Sequence, residues 1–80
     1  MELPASYLET RTTFDEVLAD HVFNGILAGS VWDDWERLTA KAHDGDELWH
    51  FEPPPGAIEV WGIALVRNGK VISTAITAVG

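Results

Sequence analysis

The dipeptide Asn68-Gly69 sits between two alternating runs, "IEVWGIALVR" and "KVISTAITAV". Both residues tolerate positive φ, which a two-residue type I′ turn demands, and that turn matches the right-handed twist of paired strands. It predicts a β-hairpin and fixes its register. Counting back from the turn, Arg67 faces Lys70, Leu65 faces Ile72, Ile63 faces Thr74 and Trp61 faces Ile76. This face is large and apolar, so it is expected to lie beneath helices. The other face pairs Val66 with Val71, Ala64 with Ser73, Gly62 with Ala75 and Val60 with Thr77, and it is small and nearly uncharged.

Upstream, the period changes from alternating to helical. "TTFDEVLADHVFNGILAG" opens with Thr13 and Glu16 at capping-box spacing. Phe14, Val17, Leu18, His21 and Val22 then form one apolar stripe, which is expected to end near Asn24-Gly25. Ser30 reads as the cap of a second helix, with Trp32, Trp35, Leu38 and Ala42 on its apolar side and an Asp33–Arg37 pair on the other. Asp44-Gly45 supplies the stop. Residues 47–52, "ELWHFE", make a further candidate strand, ended by three prolines that cannot donate to a ladder. Residues 1–11 read as an irregular lead-in. The expected fold is therefore one small α+β domain over residues 1–80. In it, two N-terminal helices pack on a three-stranded antiparallel meander (ααβββ) in two layers.

A chain of 80 residues has only just enough interior to be stable, and with no cysteine it has no disulfide to help. Dense packing fills that role, because Trp32, Trp35, Trp49 and Trp61 each bury on the order of 200 Å² when enclosed. The absence of cysteine, of a basic-then-apolar leader and of a long apolar run makes a cytoplasmic protein, not a secreted or membrane one, the expectation. The formal net charge is −8, and all 13 acids lie between Glu2 and Glu59. Such a surface repels phosphate backbones, which disfavours nucleic acid and suits either solubility or a basic protein partner.

The stretch "HDGDELWHFEPPPG" crowds histidines and acids together and raises the question of a site. His43, His50 and Glu52 are candidate metal ligands, since histidine nitrogen and carboxylate oxygen suit zinc. A structural site needs four ligands, however, and no HxH, HExxH or cysteine pair is present. The bland reading places Trp49 and Phe51 on a core face, with His50 and Glu52 turned to solvent. Glu47 with Glu52, and Asp33 with Asp34, are the carboxylate pairs, and neither spacing converges on one point. His21, on an apolar stripe, reads as a packed residue before it reads as a general base. Ser6, Ser30 and Ser73 lack a nucleophile elbow, there is no glycine-rich phosphate cradle, and the triple proline lacks a PxxP repeat. The balance is against an enzyme, and no cofactor is implied.

"GDELWHF" with its prolines, followed by "GIALVRNGKVI", resembles an uncharacterised group of small bacterial proteins. In that group a Gly-Asp-Glu-Leu-Trp strand, a Pro-Pro turn and a Gly-(Ile or Tyr)-Ala-Leu-Val-Arg hairpin recur. The matching residues run from Gly45 to Trp49, then Phe51, Pro53, Pro54, Gly62 to Arg67 and Gly69. The segment "PGAIEVW" and His50 depart from it. The resemblance implies the hairpin and no activity.

What stands out functionally is the final strand. In a meander it is an edge, and edges are normally blunted by charge, proline or bulges. "VISTAITAV" carries no charge or proline after Lys70, and no bulge is expected in it. The leading expectation is a non-enzymatic protein-interaction module that associates with itself as a homodimer, or with another protein. The contact would use this strand or the small face formed by Gly62, Ala64, Ser73, Ala75 and Thr77. The alternatives are a metal-binding or enzymatic domain built on His43, His50 and Glu52, and an acidic inhibitor of the immunity type. The bland alternative for the strand is that the N-terminal lead-in covers it.

Overall fold

A computed structural model describes residues 3–22 and 25–80, with the side chains of His21 and Val22 excepted. The chain is α+β, but with four strands where three were expected. β1 (Leu8–Thr12) comes from the lead-in, followed by β2 (Glu47–Phe51), β3 (Val60–Arg67) and β4 (Lys70–Val79). They form one antiparallel sheet in the order β1-β2-β3-β4. The lead-in thus pairs with β2, at the other end of the sheet order from β4, the strand that the bland alternative had it cover. Its alternation was masked because "LETRT" has one apolar residue, and its one buried residue, Thr12, is polar.

Two helical segments separate β1 from β2. Thr13 caps α1 (Phe14–Val17) by accepting from Glu16 N–H at 3.2 Å. The Glu16 carboxylate, instead of reaching back to Thr13, accepts from the Thr12 hydroxyl at 3.1 Å. The segment continues as a π-helical turn, Leu18–Val22. The expected packing of His21 and Val22, and the stop at Asn24, lie outside the described residues. In α2 (Ser30–Lys41) the cap is Gly29 and not Ser30, because the chain enters the helix through a backbone conformation (φ 57°, ψ −129°) open only to glycine. Trp35 and Leu38 are buried and Trp32 and Ala42 pack beside them, as the stripe predicts. Arg37 pairs with Asp34 at 3.0 Å and not with Asp33, a surface pair of little energetic weight.

The sheet is apolar on both faces. Beneath the helices lie Leu48, Ile63, Leu65 and Ala75, closed by Val17, Leu27, Trp35 and Leu38. The Phe14 ring meets that of Trp35 at a centroid distance of 5.7 Å. On the opposite face Phe51, Val60, Ala64 and Val66 are covered by Leu3 and Tyr7, with Trp49, Ala57 and Ile76 at the margin. The Tyr7 hydroxyl donates to the Ile58 carbonyl at 3.1 Å, and Glu52 N–H donates to the Tyr7 carbonyl at 2.9 Å, so lead-in and proline loop hold each other over this face.

The turn at Asn68-Gly69 is as expected, with φ of 52° and 76°. The register it sets survives for two pairs, Arg67 with Lys70 and Val66 with Val71. A bulge then puts Ile72 and Ser73 together opposite Leu65, and a second puts Thr77 and Ala78 opposite Trp61. Side chains beyond the first bulge change faces. Ala75 falls under the helices opposite Ile63, and Ile76 falls on the other face opposite Gly62. α2 lies against β4 on the helix side, where the small Ala75 allows close approach.

Gly62 marks the tightest point. A Cβ there would strike the Ala75 carbonyl oxygen and come to 2.9 Å from Phe51 Cζ, on the cross-strand neighbour. Because one obstacle is backbone, Gly62→Ala is expected to cost about 2 kcal/mol or more in urea unfolding. Gly62→Ala stability equal to that of the parent would show that β3 and β4 are not so closely apposed.

Candidate functional site

The crowded stretch resolves into a structural knot and two outlying side chains. His43 and Asp46 close a tight turn, with Asp46 N–H donating to the His43 carbonyl at 3.1 Å and Gly45 at φ 89°. The Asp46 carboxylate accepts His43 N–H at 2.9 Å. It also takes both arms of Arg67, Nε to Oδ1 and Nη2 to Oδ2, each at 2.8 Å. Arg67 Nη2 reaches on to the Lys41 carbonyl at 3.2 Å. One guanidinium thus ties the end of α2, the turn and the end of β3. The Asp46 side chain is only 3% exposed. The guanidinium first, and then the His43 N–H, hold its pKa down at about 2, and the same pairing raises that of Arg67. A carboxylate fixed this way is a poor proton carrier near neutrality.

The candidate ligands are dispersed. His43 is exposed at the turn, and Glu52 is exposed beyond the end of β2. His50 is half-buried and pairs with Ile63, so it shares the helix side of the sheet with Leu48. The expected division of β2 is therefore reversed in part. Trp49 and Phe51 do face a core, but the second one, and His50 does not face open solvent with Glu52. Among the described residues no group of three or more histidines and acids is placed to hold a metal. Glu47 accepts from Trp49 Nε1 at 3.0 Å and lies 3.4 Å from Arg11, which accounts for its carboxylate.

Among the described residues, two open concavities stand out. One of about 440 Å³ is lined by Leu3, Pro4, Ala5, Gly69, Lys70 and Val71, with a single titratable side chain. The other, of about 280 Å³, lies over the Asp46–Arg67 knot. Neither brings a nucleophile and a base together.

The small face expected to dock a partner is split by the first bulge. Gly62 and Ala64 belong to the face covered by Leu3 and Tyr7, whereas Ser73 and Ala75 lie on the helix face. Thr77 is the extra residue of the second bulge, and its hydroxyl donates to the Trp61 carbonyl at 3.3 Å. Ala64 and Ala75 are fully buried within the chain itself. The expectation of an unbulged β4 is likewise corrected.

What β4 offers outward is its backbone. Arg67 and Lys70 close a two-residue turn and so form a hydrogen-bonded pair, after which bonded and non-bonded pairs alternate. Each bulge sets two β4 residues against one bonded position. At the far end Gly80 N–H donates to the Glu59 carbonyl at 2.9 Å, in step with this count. Val71, Thr74, Ile76 and Val79 are left with N–H and C=O turned away from β3. Sequence reasoning missed these positions because no residue type announces the bulges.

Comparison of the chain with models of protein families, with curated proteins and with solved structures finds no match. No helix among the described residues is long and apolar enough to cross a membrane.

The Asp46 pKa carries a definite pH signature. A carboxyl held at about 2 when folded and titrating near 4 when unfolded stabilises the fold above pH ~4. That contribution is lost as pH falls through the folded value. Asp46→Asn is expected to lower the melting temperature at neutral pH and to flatten its decline between about pH 4 and pH 2. Parallel melting curves for the two proteins over that range would refute the assignment.

Proposed function

We propose that this chain is a protein-interaction module without chemistry of its own, and that its working surface is the outer edge of β4. One observation carries the reading. β4 spans ten residues at the end of the sheet order, and no described strand lies on its outer side. Both sheet faces, by contrast, are covered from within the chain, so face-to-face stacking has lost its surface and strand addition has kept one.

The two edges of the sheet differ in a way that favours β4. β1 has five residues and carries Glu9 and Arg11. Short and charged edges resist pairing. β4 is twice as long and uncharged beyond Lys70. β3 and β4 themselves contain no acid, although the Glu59 carboxylate lies beside Gly80 at the far end of β4. An incoming strand therefore meets hydroxyl and apolar side chains instead of the charge that dominates elsewhere.

Amide hydrogen exchange of the dilute protein tests this. The amides of Thr74 and Ile76 are expected to exchange orders of magnitude faster than that of Ala75 between them, which bonds to β3. Equal protection of all three at low concentration would mean that the edge is already occupied within the chain, and would overturn the reading.

A further inference from the structure

We infer that the far end of this edge, at Val79 and Gly80, receives an extended segment of a basic protein, in which an aliphatic residue stands next to a lysine or arginine. The inference rests on the edge reading above and adds the class of partner and the place where it docks.

The middle of β4 offers no side-chain surface, because Ala75 is fully buried in the core beneath the helices. The end of the strand is different, since Ala78, Val79 and Gly80 are all exposed. Val79 and Ile58, each 71% exposed, are the most exposed large hydrophobics among the described residues. They belong to one corner of the sheet. Val79 stands opposite Val60, and the Val60 N–H donates to the Ile58 carbonyl at 3.1 Å. The same carbonyl accepts from the Tyr7 hydroxyl, so Ile58 is displayed from a backbone held by two bonds. An apolar group presented on a fixed backbone gives up little further freedom on binding.

The charge at this corner selects the partner. Gly80 N–H donates to the Glu59 carbonyl at 2.9 Å, and the exposed Glu59 side chain lies where a Gly80 side chain would otherwise project. With nothing but hydrogen on Gly80, the carboxylate is open to a strand arriving from outside. Alternation puts Val79 with Val60 on the second-core face, and Glu59 with Gly80 on the other. A segment bound to the outward N–H and C=O of Val79 therefore sets one side chain beside Val79. Its neighbour, on the opposite face, crosses Gly80 towards Glu59. The first position suits an aliphatic group and the second a cation. The second bulge puts Val79 out of step with Thr74 and Ile76, so the segment engages the end of β4 and not its length.

A second copy fits this corner poorly. It brings another net charge of −8, and the one charged residue of β4, Lys70, lies at the opposite end of the strand. A basic segment gains from the long-range field as well as from Glu59. The contact is small, and interfaces below about 1,200 Å² are transient.

Two capped peptides, Thr-Thr-Lys-Val-Thr-Thr and its counterpart with glutamate in place of lysine, test the inference by titration against the amide resonances of the full chain. The lysine peptide is expected to shift Val79 and Gly80, to bind at least about fivefold more tightly than the glutamate peptide, and to weaken in about 0.5 M salt. Glu59→Lys should lower its affinity at least about fivefold, whereas Glu36→Lys, the same change of net charge on an exposed position of α2, should lower it less than about twofold. Equal losses in the two variants would reduce the effect to general attraction by an acidic surface and overturn the site. Shifts of Val79 and Gly80 that follow protein concentration without peptide would make a second copy the occupant and overturn the basic partner. No response to the lysine peptide, with the Thr74 and Ile76 amides in fast exchange, would sink docking at this corner and leave the edge reading standing. Slow exchange of those two amides at low concentration would remove the edge reading, and this inference with it.

Discussion

A sheet that is apolar on both faces must be covered twice, and in a chain of 80 residues very little remains to do it. The helices cover one side. The other is covered by residues 3–8 and the loop after β2, neither of which has a hydrophobic pattern of its own. What holds them is a pair of hydrogen bonds through Tyr7, its hydroxyl to Ile58 and its carbonyl from Glu52. The lead-in could not make these bonds unless β1 were anchored on β2 next to it, so the fourth strand and the second core depend on each other. Gly62 belongs to the same constraint, since Phe51 lies over it where any side chain would hold the two apart.

The sequence made some of this legible, and physical reasons separate what it revealed from what it hid. The Asn68-Gly69 turn, the Trp35–Leu38 stripe, the Thr13 cap and the change of period near Asp46 are local signals with local causes, and each has its place in the fold. β1 was hidden because its pairing is decided by β2 and not by its own residues. The bulges were hidden for a similar reason. A turn dictates register only until the strands find a better fit, and here burying Ala75 under α2 and sending Ile76 to the second core is that better fit. The side chain exchanged for this is Ile72, left 37% exposed. One inserted residue reassigned most of a strand, which is why Gly62, Ala64, Ser73, Ala75 and Thr77 looked like a single surface and are not.

The acids and histidines around residue 45 illustrate the reverse, where a conspicuous cluster has an ordinary cause. Asp46 and Arg67 are 21 positions apart, yet the bidentate pair joins the end of α2 to the strand that leads into the hairpin. A helix end leaves carbonyls without partners, and Arg67 satisfies one of them, that of Lys41. With Asp46 committed to Arg67 and Glu47 to Trp49 and Arg11, the crowding reflects how a short chain staples its segments without a disulfide.

Bulges are usually understood as protection, because they twist an edge out of reach of a regular strand. In β4 they act selectively instead. Only residues 73–76 form an uninterrupted ladder with β3, so an ordinary extended strand approaching from outside can match a short window before its spacing falls out of step at either bulge.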